Sequence, residues 1–291
     1  LAPLTVAVVL GTFATASGDD APRTPGGPVA PAAPSPSVAA DPAVAADPAV
    51  AADPAVAPDP AAATAADLAR WAEAAAYSAA RGGTAFLVQK DGRIVFERYA
   101  NGGAADVPHG LASGTKSFWG VAAMAAVEDG LLSLDERAAD TITEWRDDPR
   151  RSKITIRHLL SLSSGLAPSA QALQAPSTPD KYAFAVHVDA TDEPGSTFRY
   201  GPAAYFAFGV LLDRKLAKST EDPLAYLKRR IFDPIGLEVG AWMRDAAGHP
   251  TLPHGAALTA RAWARFGEFV RAGGTAAGKR VLAQELLDRC F

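Results

Sequence analysis

Ser113-Gly114-Thr115-Lys116 puts a hydroxyl and an amine three residues apart. In a helix, residues i and i+3 share a face, so the two groups can meet. A serine hydroxyl becomes a useful nucleophile once a neighbouring base takes its proton. A lysine can be that base if desolvation lowers its pKa toward neutrality. Leu111, Ala112, Phe118, Trp119 and Val121 supply apolar surroundings for it. Ser113 is expected at a helix N-terminus, where free N–H groups and the helix dipole favour developing negative charge. On the spacing alone, a helix-capping serine followed by a solvated lysine is the better reading. Tyr200 is the third candidate, directly before Gly201-Pro202 at the start of a helix. A phenol beside an ammonium loses its proton more readily, or relays one to a leaving group. An isolated tyrosine is otherwise a core residue with a satisfied hydroxyl.

Other chemistries lack their residues. There is no G-x-S-x-G elbow, no H-E-x-x-H pair and no glycine-rich phosphate loop. The five histidines are scattered, and Cys290 is the one cysteine, which excludes an internal disulfide and a multi-cysteine metal site. Neither a metal nor an organic cofactor is implied. Lys228-Arg229-Arg230 reads as a solvated helix face, and Trp119, Trp145, Trp242 and Trp263 as core or pocket lining.

The elements that must position these groups are marked locally. Ala66–Ala80 has helical apolar spacing at Leu68, Trp71, Ala72 and Ala75, with Gly82-Gly83 ending it. Thr84–Lys90 and Arg93–Tyr99 are β-rich runs around Asp91-Gly92, the residue pair a type I′ hairpin turn requires. A helix opens near Ser113, with Phe118, Val121, Ala122 and Ala125 as its buried stripe and Gly130 as its stop. Thr155 caps a short helix over Ile156–Ser163, closed by Gly165. Pro202 starts a helix running to about Leu216, and Asp222-Pro223 starts another with Leu224, Leu227 and Ile231 on one face. Thr259 caps a helix with Trp263, Phe266 and Val270 inward, ended by Gly273-Gly274. One early hairpin followed by many helices predicts an α/β or α+β body.

Of 291 residues, the first 60 hold 12 of the 23 prolines, six Asp and one Arg. That segment carries −5, which leaves +1 for residues 61–291 (27 Lys and Arg against 26 Asp and Glu). The near-neutral body carries no electrostatic footprint for nucleic acid. No apolar run reaches the roughly 18 residues of a membrane span. Residues 1–16 read as the tail end of a secretory signal: an apolar stretch from Leu4 to Leu10, then Ala14-Thr15-Ala16 as a cleavage-type pattern. A secreted, periplasmic or envelope-associated protein is therefore expected. Residues 17–65 read as a solvated spacer, with Ala-Ala-Asp-Pro-Ala-Val repeated at 39–44, 45–50 and 51–56. Residues 66–291 form the globular domain.

Leu111–Gly120 (LASGTKSFWG) resembles the active-site helix of serine β-lactamases and penicillin-binding proteins, especially the class C-related hydrolases and esterases. Ile154–Leu166 (ITIRHLLSLSSGL) and Pro194–Tyr200 (PGSTFRY) are similar to later stretches of that family, and Phe232–Leu237 and Gly255–Gly267 resemble further ones. The hairpin looks like its first two strands. The match runs in family order over about residues 80–275. It implies an antiparallel sheet flanked by helices, plus a helical subdomain. It also implies Ser113 as nucleophile, Lys116 as its base and Tyr200 as proton relay, acting on a small-molecule ester, amide or peptide through an acyl-enzyme.

Two departures stand out. The family's Y-x-N motif ends in Asn, and here Pro202 stands there, with no side-chain amide and no N–H. The family's third motif, Lys/His-x-Gly on a sheet strand, is expected beyond Phe291, so the chain is expected to be truncated at its C-terminus. His254-Gly255-Ala256 is a poor substitute, because it directly precedes the Thr259 helix. A catalytically impaired module of the same fold, binding cell-wall peptide or a protein partner, is the alternative.

Overall fold

The computed structural model describes residues 63–291 and the backbone of Thr5–Gly11. The cleavage-type pattern at 14–16 and nearly all of the expected spacer lie outside the described residues. Thr5–Gly11 (β1) runs antiparallel to Gly83–Lys90 (β2), which pairs in turn with Arg93–Tyr99 (β3). The hairpin forms as its turn residues dictate. Asp91 and Gly92 both take positive φ, 49° and 78°, the geometry that matches the right-handed twist of the strands.

Thr64 starts the first helix, Ala65–Ala79 (α1), through a reciprocal capping box with Asp67. Strand β2 is buried on both faces, so it reads as a continuous apolar run. Phe86 and Val88 join Val95, Phe96 and Ala75 under α1, where Trp71 tilts onto Phe96 at 6.1 Å. Ala85 and Leu87, on the alternate face, join the main core.

That core is built around two helices. Ser117–Glu128 (α2) buries eight of its 12 residues. The expected stripe of Phe118, Val121, Ala122 and Ala125 is therefore part of a nearly all-round apolar surface, which belongs to a central helix. Ala203–Leu216 (α6) is likewise buried almost throughout, with Pro202 as its N-cap. Around them pack Ile156–Leu160 (α3), Ala170–Gln174 (α4), Lys181–Val186 (α5) and Pro223–Leu227 (α7). Gly209 lets α5 approach α6, since a Cβ there would sit 2.5 Å from the Tyr182 hydroxyl. Arg230 does not stay on a solvated face: it folds back to Glu128 and Asp129 at the end of α2.

A second small sheet frames the candidate site. His109–Gly110 (β4) and Ala241–Trp242 (β5) flank Ala256–Leu258 (β6) on either side. Ala260–Arg271 (α8) follows, capped by Thr259, whose hydroxyl accepts from the Ala262 N–H. Phe266 of α8 meets Phe118 at 4.7 Å. Thr275–Ala276 (β7) and Lys279–Arg280 (β8) make a short hairpin before Gln284–Leu287 (α9). The whole is a mixed α/β body. No described helix is long and apolar enough to cross a membrane.

Candidate active site

Ser113 lies in a short 3-10 stretch, Ala112–Lys116, that leads into α2. The sequence placed it at the start of an α-helix. The tighter winding keeps i and i+3 eclipsed, so the predicted meeting of side chains is preserved. The stretch follows directly on β4 because Ala112 takes φ 46°. This left-handed backbone is one a non-glycine residue adopts at a cost.

Lys116 Nζ lies 3.0 Å from Ser113 Oγ. The amine also donates to the Pro253 carbonyl at 2.8 Å. Burial pushes the Lys116 pKa down, and the neighbouring Tyr200 phenol only partly opposes that shift. Lys116 donates to both oxygens, and once deprotonated such an amine, with one N–H still held by the carbonyl, can turn its lone pair to the hydroxyl and take its proton.

The segment 251–256 is laced to this helix at further points. Trp119 donates its indole N–H to the Leu252 carbonyl at 2.7 Å. The Ala256 N–H donates to the buried Thr115 hydroxyl at 3.2 Å, and that hydroxyl donates to the Ala112 carbonyl at 2.7 Å. The Leu111 N–H donates to the Ala256 carbonyl at 2.8 Å. No local pattern signals the ties between this segment and the helix, since they join residues more than 130 positions apart.

Tyr200 is 56% exposed, with Lys116 Nζ 5.1 Å from its ring centroid. A second phenol had no signal of its own: the ring of Tyr205 has the same amine 5.7 Å from its centroid. Tyr205 donates to the Leu160 carbonyl at 3.2 Å, and burial above all pushes its pKa up to about 12. Ser113, Lys116 and Tyr200 therefore converge on one spot. From there a cavity of about 970 Å³ runs along α2 past Val121 and Met124, with Trp263 and Phe266 of α8 on its other side. Trp119 and Trp145 are fully buried core residues, whereas Trp263 lines this cavity. Among the described residues, no group of three or more His, Cys, Asp or Glu is placed to hold a metal ion.

The family model described as Beta-lactamase matches residues 73–288. A lovastatin esterase of Penicillium rubens is 30% identical over 44% of this chain and 37% of its own. A monacolin J acid methylbutanoyltransferase of Aspergillus terreus is 31% identical over 45% of this chain and 37% of its own. The chain thus spans well under half the length of these curated relatives. A solved penicillin-binding-protein homologue from Caulobacter crescentus superposes with a TM-score of 0.62 at 18% identity, covering 76% of this chain and 74% of its own.

Proposed function

Since this chain belongs to the Beta-lactamase family, whose fold serves serine hydrolases, esterases and acyltransferases, we propose that it is a serine hydrolase that cleaves a small-molecule ester through an acyl-enzyme. The observation that carries this reading is the 3.0 Å approach of Lys116 Nζ to Ser113 Oγ.

In this mechanism Ser113 Oγ attacks the ester carbonyl as its proton passes to Lys116. The Ser113 N–H, in the first turn of its helix, faces the developing oxyanion. The ester C–O bond then breaks, and a proton travels from Lys116 by way of the Tyr200 phenol to the departing alkoxide. Water attacks the acyl-enzyme, Lys116 takes its proton, and the carboxylic acid leaves with Ser113 restored. The esterase and the acyltransferase among the relatives support an ester over a β-lactam. Pro202, which brings no amide to the site, points the same way. We place the protein outside the cytoplasm on the apolar stretch Leu4–Leu10 and the Ala14-Thr15-Ala16 pattern.

The test is intact mass after treatment with a fluorophosphonate and, separately, a penicillin. Fluorophosphonate labelling that disappears in Ser113→Ala is the expected result. Absence of labelling in folded wild-type protein overturns the proposal, and labelling by penicillin as well would move the activity to β-lactams.

A further inference from the structure

The hydroxyl of Thr115 takes no part in the mechanism, yet it lies between the two residues that carry it. Thr115 is fully buried in the 3-10 stretch that bears Ser113 and Lys116. It does not line the cavity. A hydroxyl has one proton to give and lone pairs to accept with, and here both functions are used. It donates to the Ala112 carbonyl at 2.7 Å and accepts from the Ala256 N–H at 3.2 Å.

The first bond reaches back to a strained residue. Ala112 directly precedes Ser113 and takes φ 46°. Such a conformation persists in a non-glycine residue only where its surroundings over-determine it. The Leu111 N–H, bonded to the Ala256 carbonyl at 2.8 Å, fixes the chain just before Ala112, and the Gly114 N–H closes the turn onto the Leu111 carbonyl at 2.9 Å. Thr115 holds the carbonyl of Ala112 itself. The direction in which the backbone enters Ser113, and with it the aim of Oγ and of the Ser113 N–H, follows from that peptide.

The second bond reaches across to the chain that supports the base. Ala256 stands three residues after Pro253, whose carbonyl accepts from the Lys116 amine at 2.8 Å. There is little slack between them. The Gly255 N–H donates to the Thr251 carbonyl at 3.1 Å. A Cβ on Gly255 would come within 2.4 Å of the Thr251 hydroxyl and 2.7 Å of the Trp242 indole nitrogen. The placement of Ala256 is therefore passed on to Pro253. Ala256 is itself buried. Without the Thr115 oxygen its N–H would be left unpaired, and a buried unpaired donor is costly enough to make the segment shift.

We propose that Thr115 is a positioning residue for the reaction: its one buried hydroxyl locks the turn bearing Ser113 and Lys116 onto the segment that carries the Pro253 carbonyl, and so sets the geometry of nucleophile and base. This inference rests on the acyl-enzyme reading above. A hydroxyl that served only the turn would need the Ala112 bond alone. The bond to Ala256, 141 positions away, couples the turn to the support of the base. Because Thr115 stands behind the reacting groups and outside the cavity, its loss acts on the rate of the chemical step rather than on substrate binding.

Thr115→Val, which exchanges the hydroxyl for a methyl, tests it in the full chain with p-nitrophenyl butanoate, below the melting temperature of every variant. Its kcat is expected to fall by about ten- to a hundredfold, the scale of a misplacement of about 1 Å, with KM little changed. Thr115→Ser keeps both bonds and is expected to restore most of kcat. Thr64→Val removes the cap of α1, away from the cavity, and is expected to lower the melting temperature while leaving kcat unchanged. A folded Thr115→Val with wild-type kcat overturns the inference, as does a loss confined to KM, an equal loss of kcat in Thr64→Val, or a Thr115→Ser as impaired as Thr115→Val. If Thr115→Val does not fold, Thr115→Ala, which sets no methyl against the Ala112 carbonyl and the Ala256 N–H, is read by the same outcomes. If Ser113→Ala hydrolyses the ester as fast as the wild type, the acyl-enzyme reading fails and the inference falls with it. Activity that needs Ser113 but is indifferent to the Thr115 hydroxyl ends the inference alone.

Discussion

The two flanks of the candidate site are built to different standards. On one, Ser113 and Lys116 sit on the turn into α2, one of the two central buried helices, and the amine is held by Ser113 Oγ and the Pro253 carbonyl. Thr115, between them, is fully buried and ties the same turn to Ala256. On the other flank Tyr200 lies on a surface stretch beside Phe198, which is 68% exposed. That stretch is tethered by the Arg199 ion pair to Asp192 and by the Arg199 N–H to the Leu162 carbonyl. The contrast suggests a division of labour. The proposed base is placed on a turn anchored by the buried Thr115 and the Pro253 carbonyl, and the proposed proton relay on the exposed stretch.

The largest effect belongs to the anchored flank of Ser113 and Lys116. Ser113→Ala removes the nucleophile and is expected to lower kcat by about 10⁴-fold or more, measured as ester hydrolysis by folded protein. Lys116→Gln removes the base and is expected to cost about 10²–10⁴-fold, the range of general base catalysis. With Lys116 present, kcat/KM is expected to rise with pH through an apparent pKa below the ordinary lysine value of 10.5, because burial favours the neutral amine. A rate independent of pH below that range would remove Lys116 as the base.

Tyr200→Phe sharpens the comparison. The exposed relay has water as a substitute, so its loss is expected to cost about 10–10²-fold, at the low end of acid–base effects. The rate is compared for a good and a poor leaving group. A relay to the leaving group predicts a larger loss for the poor one, and equal losses would assign Tyr200 to packing.

How much of this was legible in the sequence follows from range. Asp91-Gly92, the Thr155 and Thr259 caps and the Asp222-Pro223 start act on residues within about one turn, and each forms as read. Ser113 and Lys116 are likewise a local pair. Less legible was whatever depends on residues far apart in the chain. The all-round burial of α2 looked like a stripe, because small alanines carry little periodic contrast. The helices α4 and α5 have no strong periodic pattern, and α4 begins after Ser169 in a left-handed conformation at φ 49°. The support of Lys116 by the Pro253 carbonyl involves a backbone atom, which no motif records. His254-Gly255-Ala256 directly precedes the Thr259 helix in sequence, yet Ala256 opens β6, the middle strand of the small sheet.

The smallest effect concerns stability, and it too separates the flanks. His254 is charged in the unfolded chain below about 6.5 but stays neutral in the folded protein down to about 4. Between these values the unfolded state binds more protons than the native one, so stability rises with pH across the window. The destabilising contribution is absent above 6.5, grows as pH falls and is complete below about 4. His254→Gln removes this source of pH dependence without adding a charge. The fall in melting temperature between pH 6.5 and 4 is therefore expected to be shallower in that variant, by a few degrees for a domain of this size. Tyr200→Phe, on the exposed flank, is expected to leave the slope unchanged. Identical slopes for wild type and His254→Gln would mean that the ring is hydrated and that the segment 251–256 is looser than its bonds to α2 imply.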